Sequence, residues 1–284
     1  MPILYVVGTP IGNLEDLTPR AARILAEVAL VAAEDTRVTR RLLNHLGIHA
    51  RITSFHKHNW RNKLDRVLEQ LAEGDVALVS DAGMPGISDP GSELVTAAAQ
   101  AGFKVEVVPG PSAVTAALAL SGFPGDAFLF LGFLPRRKKE RQVALRQVAA
   151  IAMQLVVFEA PHRLRNTLAD VEAVFGDRPL VVCRELTKFH EEVFRGTAAQ
   201  ALEYFESPRG EMVLVVQSRA PQDDDSLHST GAEDQVDVDT DLRVRLASLR
   251  QEGVKAKDAV ALVAETTGLA KNRVYRVWVG LGRE

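Results

Sequence analysis

Four short apolar runs in the N-terminal half each end in a loop richer than a simple turn requires. Ile3–Val7 ends in Gly8-Thr9-Pro10-Ile11-Gly12-Asn13, and Leu30–Ala33 in Glu34-Asp35-Thr36-Arg37. Val76–Val79 ends in Ser80–Gly91, and Lys104–Val108 in Pro109-Gly110-Pro111-Ser112-Ala113. The longest loop, S-D-A-G-M-P-G-I-S-D-P-G, carries three Gly, two Pro and two Asp, whereas a simple connection takes about two to six residues. Helical stretches lie between the runs. Thr18-Pro19 is a helix start, with Thr as N-cap and Pro at the first helical position. Leu64, Val67, Leu68 and Leu71 repeat at helical spacing. Apolar strands alternating with helices predict a mostly parallel sheet covered on both faces. Its loops then gather at one sheet edge, where open α/β sheets hold their ligands.

A second α/β set follows Ser121-Gly122-Phe123-Pro124-Gly125, which reads as a hinge. Strands are expected at Phe128–Phe133, Leu155–Phe158, Leu180–Cys183, Val193–Arg195 and Met212–Gln217. Helices are expected at Arg136–Ile151, His162–Val174 and Thr197–Phe205. The expected divisions are an N-terminal α/β domain at 1–121, a second at 122–220, an acidic linker at 221–241 and a basic helical module at 242–284. The linker carries eight acidic side chains and no Lys or Arg; the module carries nine Lys/Arg and four Asp/Glu. The formal net charge of −3 therefore hides a chain that is basic outside its linker. Asp258–Thr266 and Lys271–Val277, around Thr267-Gly268-Leu269, are laid out like a helix-turn-helix; a helical cap with a solvated basic face fits the pattern equally.

No apolar run approaches the ~20 residues of a bilayer span. The N-terminus enters a strand pattern without a basic leader, so no signal peptide is expected. Cys183 is the single cysteine and lies in an apolar run, which suits a buried small hydrophobe in a reducing cytoplasm. There is no G-x-x-x-x-G-K-[ST], no G-x-G-x-x-G after the first strand and no G-x-S-x-G elbow. His56-Lys57-His58 lacks the partners of a metal site, so no metal is expected. Several Gly/Pro loops with few nucleophiles suit a site that aligns two substrates for group transfer. Basic clusters point to a polyanion. Arg136-Arg137-Lys138-Lys139-Glu140-Arg141 puts five cations at a helix start, against the helix dipole. Arg37, Arg40 and Arg41 form another group. Lys57, Arg61 and Lys63 surround Trp60, and Phe55 or Trp60 is available to stack a base.

The loops named above, with Gly132-Phe133-Leu134-Pro135, Pro161-His162-Arg163, Arg184-Glu185-Leu186-Thr187-Lys188 and Gly210-Glu211-Met212-Val213, closely resemble one bacterial family. It is ribosomal RNA small subunit methyltransferase I, of the tetrapyrrole methylase superfamily. The resemblance covers about residues 1–218 in collinear order, and the basic tail matches the family's C-terminal module. It implies two α/β domains of the tetrapyrrole methylase type, a parallel-sheet N-terminal domain and a mixed-sheet second one, plus a small helical module. It also implies a homodimer and 2′-O-methylation of a cytidine ribose in 16S rRNA, with S-adenosylmethionine as donor. Carried over by motif, the cofactor touches Pro10, then Gly83, Met84, Gly86 and Ile87, then Ser112 and Ala113. Phe158 or Glu159, and Met212, meet it from the second domain. Glu34, Asp35, Asp81, Glu159 and Glu185 are candidates for a general base. Asp35 leads because it ends a strand beside Arg37, which is placed to hold a neighbouring phosphate; a structural Asp35–Arg37 ion pair is the alternative. Arg37, Arg136, Arg137, Lys138, Lys139, His162, Arg163 and Lys188 are the expected RNA contacts. A methylase of small tetrapyrroles and a non-enzymatic RNA-binding assembly factor remain open as alternatives.

Overall fold

The computed structural model describes residues 1–87, 91–218, 242, 244–250, 254–267 and 271–280. The expected acidic linker at 221–241 lies outside them. Met1–Arg219 form one compact unit and Ala220–Glu284 another.

The first unit contains two five-stranded sheets. The first joins β1 (Ile3–Val7), β2 (Leu30–Ala33), β3 (Ile52–Ser54), β4 (Val76–Val79) and β5 (Lys104–Val108) in the order β3-β2-β4-β1-β5, with every pairing parallel. Successive side chains of a strand point to opposite faces, and both faces are covered here. Val7, Val31, Ala33, Ala77, Val79 and Val108 pack on one side, with Ile24 and Leu25 of α1 (Pro19–Glu27) and Leu43 of α2 (Thr36–His45). Leu4, Leu30, Ala32, Val76 and Leu78 pack on the other. They meet Val67 and Leu71 of α3 (Trp60–Glu73) and Leu94 and Ala98 of α4 (Ser92–Gln100). Thr18 caps α1 by accepting the Ala21 N–H at 3.1 Å, with Pro19 at the first helical position. Parallel strands send all their C-terminal loops to one edge. There Thr9 and Gly83 exchange backbone hydrogen bonds of 2.9 and 3.1 Å, tying the first loop to the longest one. Beside them Gly8 and Gly110 touch backbone to backbone. A Cβ on Gly8 would lie 2.7 Å from the Gly110 Cα, so no side chain fits.

The second sheet runs β6 (Phe128–Phe133), β7 (Gln154–Glu159), β10 (Met212–Val216), β8 (Leu180–Arg184), β9 (Glu192–Gly196) across its width. β6 and β7 are parallel; the other pairings are antiparallel, so the sheet is mixed. One face is covered by α6 (Lys138–Val148), α7 (Pro161–Phe175) and α8 (Ala198–Tyr204) through Leu145, Leu164, Leu168 and Ala201. The other face receives α5 (Ala113–Ser121), whose Val114 and Ala117 pack with Val156, Val181, Cys183, Val213 and Val215.

Three sequence expectations change here. Helix α6 starts at Lys138 rather than Arg136. Arg141 leaves the basic cluster altogether. It is 4% exposed, and its guanidinium pairs with Asp170 of α7 while donating to the carbonyl of Arg136 at 3.1 Å. Phe55 lies past the end of the short strand β3 and is fully buried in the first core, so it stacks no base.

The second unit holds α9 (244–250), α10 (Ala256–Thr267) and α11 (Lys271–Gly280). Leu242, Leu246, Ala259, Val260, Val263 and Val274 form its core. Residues 268–270, where the sequence suggests the turn of a helix-turn-helix, and the side chains of Lys271, Arg273 and Arg276 lie outside the described residues. Among the described residues no helix is long and apolar enough to cross a membrane.

Arg141–Asp170 is buried, and Gln142 donates to the second carboxylate oxygen at 2.8 Å. Asp170→Ala is expected to cost about 3–5 kcal/mol by leaving a buried guanidinium unpaired. Arg141→Met with Asp170→Leu is expected to cost less than that single change, as denaturant titration of both variants will measure.

Candidate functional site

Where the strand ends of the first sheet meet the second sheet, a cleft of about 390 Å³ opens. Its first wall is built from Ile11, Glu34, Asp81, Ala82, Gly83, Met84 and Ile87, with Ser112, Ala113 and Val114 at the start of α5. Its second wall is built from Phe133, Phe158, Glu159, Ala160, Pro161, Cys183, Leu186, Glu211, Met212 and Val213.

Electrostatics on the first wall follow from β2 and β4 being neighbours. Register pairs Ala33 with Val79, so Glu34 and Asp81 leave adjacent strands almost side by side. Each carboxylate takes a backbone N–H from the other loop. Asp81 donates to Glu34 Oε2 at 3.3 Å, and Asp35 donates to Asp81 Oδ1 at 2.9 Å. Partial burial raises the proton affinity of both groups above that of a free carboxylate, and the charge of the other acids nearby adds to it. Both line the cleft.

Asp35 behaves differently. Its Oδ1 caps α2 by accepting the Arg37 N–H at 2.7 Å, and its carboxylate binds the Arg37 guanidinium at 2.6 Å. Those bonds hold its proton affinity far below the usual range. It is not part of the cleft wall. The structural ion pair is therefore the arrangement found, and Asp35 is a poor acceptor for a proton. Arg37 itself stays largely in solvent.

Ser112, Ala113 and Val114 at the start of α5 line the cleft, and the Ser112 side chain does not cap the helix. A helix start left open in this way favours an anionic group. Opposite it, Met212 and Val213 are buried and form an apolar floor. Cys183 adds a thiol that burial pushes up to about 11, so it stays neutral.

The loop 185–188 gives Leu186 to the cleft wall, and in it Glu185 and Thr187 hold φ of +51° and +65°. Non-glycine residues adopt that conformation only where surroundings enforce it. Glu185 N–H donates to the Glu211 carbonyl at 2.9 Å, and Glu185 Oε1 accepts the Glu211 N–H at 2.8 Å. Lys188 Nζ binds Glu185 at 3.0 Å and Glu211 at 2.8 Å. The Asn13 N–H donates to Thr187 Oγ1 at 3.0 Å. Gly12 fits beneath this loop because a Cβ there would meet Thr187 Oγ1 at 2.7 Å.

Of the residues expected at a cofactor, Gly83, Met84, Ile87, Ser112, Ala113, Phe158, Glu159 and Met212 converge on the cleft. Pro10 is buried behind Ile11, and Gly86 sits outside the wall. The Glu159 carboxylate is fully enclosed. It accepts from Thr167 Oγ1 and its neighbour's N–H, and lies 3.1 Å from Arg163 Nε. It is spent on structure, as is that of Glu185. Arg163 pairs with Glu159 and donates to the Leu134 carbonyl at 2.6 Å, so it is a structural cation rather than an exposed RNA contact. Lys188 is held by its two carboxylates. His162, Arg136, Arg137, Lys138 and Lys139 are exposed; Arg137 pairs with Glu140. Trp60 packs on the first core with Arg61 over its ring. Phe133, Cys183, Leu186 and Glu211 were not singled out as site residues from the sequence. Their signal is partnership across the sheet, which a linear reading lacks.

A family model described as tetrapyrrole (corrin/porphyrin) methylases matches residues 3–202, and one described as the RsmI C-terminal HTH domain matches 234–279. The chain is 43% identical over 281 residues to "Ribosomal RNA small subunit methyltransferase I" of Synechocystis sp., covering 98% of this chain and 97% of the relative. It is 48% identical over 219 residues to the protein of that name from Thermotoga maritima, covering 76% and 98%. The fold resembles uroporphyrin-III-C-methyltransferase from Thermus thermophilus, with a TM-score of 0.55 at 21% identity over 76% of this chain and 94% of that one. With parallel and mixed sheets flanking one cleft, and with sequence identity running the length of those relatives, the chain belongs to the ribosomal RNA small subunit methyltransferase I family of tetrapyrrole methylases.

Proposed function

We propose that this protein is an S-adenosylmethionine-dependent methyltransferase that 2′-O-methylates a cytidine ribose in 16S rRNA, acting as a cytoplasmic homodimer. The observation that carries this reading is the pair Glu34 and Asp81. Two carboxylates of raised proton affinity stand at a cleft whose floor is apolar and whose helix start is open. Relatives matching nearly the whole chain carry a small-subunit rRNA methyltransferase name, and the exposed cations Arg136 to Lys139 begin three residues beyond Phe133 of the second wall.

The residues present fit the donor. The open N–H groups at Ser112–Val114 suit its carboxylate. Gly83, at a φ of +76°, brings backbone close to a ligand. Met84, Phe158 and Met212 offer soft apolar surface to the rest. S-adenosylmethionine, when bound, supplies an electrophilic methyl group. The chain's own part is to align the ribose, exclude water and take up the 2′-hydroxyl proton. Glu34 Oε1 and Asp81 Oδ2 have no hydrogen-bond partner among the described residues, which leaves them open to that proton. A general base contributes about 10²–10⁴ in rate, and alignment can supply more. Asp35, Glu159 and Glu185 are removed from the proposed base set by their partners. Arg136, Lys138 and Lys139 remain as phosphate contacts, with Arg37 and His162 beside the cleft loops.

The direct test is labelled methyl transfer to purified 30S subunits and to free 16S rRNA, with the modified ribose located by mass spectrometry. An unmodified cytidine ribose in both refutes the proposal. Ser112→Trp is expected to abolish cofactor binding by calorimetry while the circular dichroism spectrum is retained. Glu34→Gln and Asp81→Asn are each expected to lower kcat about 10²–10⁴-fold. A base must be unprotonated, so wild-type kcat/KM falls as pH drops through the raised carboxylate range, above the limb of an ordinary Glu. That limb belongs to the pair. Stability runs the other way. Burial disfavours the charged Glu34, so the native state holds its proton more tightly than the unfolded chain does. Stability is then lost as pH rises through the folded value, and Glu34→Gln is expected to melt no lower than wild type near neutrality. Replacing Arg136, Arg137, Lys138 and Lys139 by Ala is expected to flatten the slope of log affinity against log salt. Each lost phosphate contact removes about 0.7–0.9 of that slope.

A further inference from the structure

We propose that Phe133 is the stacking platform for the acceptor base, placed there by a bulge at the end of β6. The inference rests on the methyl-transfer reading above and adds to it the residue that seats the nucleoside. In a regular strand, residues two apart share a face. Phe130 packs with the face that receives α5, whereas Leu131 packs with the helices on the other side. Regular alternation would send Phe133 to the side of Leu131. The β6–β7 register shifts between Phe130 and Phe133, and Gly132 between them takes a φ of +61°. The shift re-aims Phe133 to the Phe130 side, against Phe158, with ring centroids 5.7 Å apart and planes at 60°. Bulges beside binding sites do this kind of re-aiming.

Phe133 lines the cleft yet remains 56% exposed, whereas Met212 on the same wall is 2% exposed. It therefore stands at the mouth and not on the floor. Glu34 and the exposed Asp81 line the opposite wall. A donor seated on the floor leaves the mouth to the acceptor. Three residues beyond Phe133 the exposed cations Arg136 to Lys139 begin. A nucleoside stacked on Phe133 thus has phosphate-binding charge beside its own backbone and a proton acceptor across from its ribose. Stacking on an aromatic ring favours unpaired bases of any identity, so the acceptor nucleotide is bound unstacked from its helix.

The test measures methyl transfer to 30S subunits together with cofactor affinity by calorimetry, for wild type, Phe133→Ala and Phe133→Trp. Phe133→Ala is expected to raise KM for subunits about 10-fold to 100-fold with cofactor affinity unchanged. Phe133→Trp is expected to restore KM. An unchanged KM in Phe133→Ala overturns the inference. So does a loss confined to cofactor affinity, which would put the ring on the donor. A KM defect that Phe133→Trp fails to repair overturns it as well. Wild-type protein that methylates no subunit overturns the parent reading and this inference with it, whereas the other failures leave the parent reading standing.

Discussion

Val114 and Ala117 of α5 press on Val181, Cys183, Val213 and Val215, and this apolar contact sets one sheet against the edge of the other. Chain order assigns α5 to the first sheet, since it follows β5 directly. Packing assigns it to the second. A helix shared in this way makes its own N-terminus part of the junction, so its uncapped start at Ser112–Val114 lines the cleft as a consequence of burying the rest of the stripe. The Thr9–Gly83 bridge and the Gly8–Gly110 contact fix the loops around it. Parallel pairing puts the loops at one edge, and close glycine contacts hold them there.

Charge in this protein falls into two populations that composition cannot separate. Arg141–Asp170, Arg163–Glu159 and Lys188 with Glu185 and Glu211 are neutralised pairs that join elements. Breaking Arg141–Asp170 or Arg163–Glu159, the two buried pairs, leaves the other partner in a poorly solvating interior. Glu34 and Asp81 are the reverse case. They accept backbone N–H groups, yet each stays near another acid and partly out of water. This arrangement is unfavourable for folding and suits the proton transfer proposed for the pair.

Much of the architecture is legible in the chain because it depends on short-range pattern. Apolar runs, Thr18-Pro19 and the glycine loops announce strands, a helix start and a ligand edge from neighbouring residues alone. The errors share one physical origin, partners distant in sequence. Arg141 looks like one of five solvated cations until Asp170 is found beside it. Phe55 looks available until Val67 and Leu71 cover it. Glu34 and Asp81 were both candidates, but only adjacency of β2 and β4 shows that they form a pair. Phe133 was legible within a motif, but its direction depends on a register shift that no periodicity predicts.

That shift gives the scaffold a modularity. β7, β10, β8 and β9 keep unbroken registers through the second sheet, and the cleft-lining side chains of β7 and β10 are fixed by that ladder. The irregular residues sit in β6, an outermost strand with a single neighbour. Gain or loss of one residue there rotates a side chain at the mouth by half a turn without disturbing the ladder. A one-residue insertion or deletion in this edge strand can thus change what stands at the mouth of the cleft, while the side chains that β7 and β10 present to it keep their places.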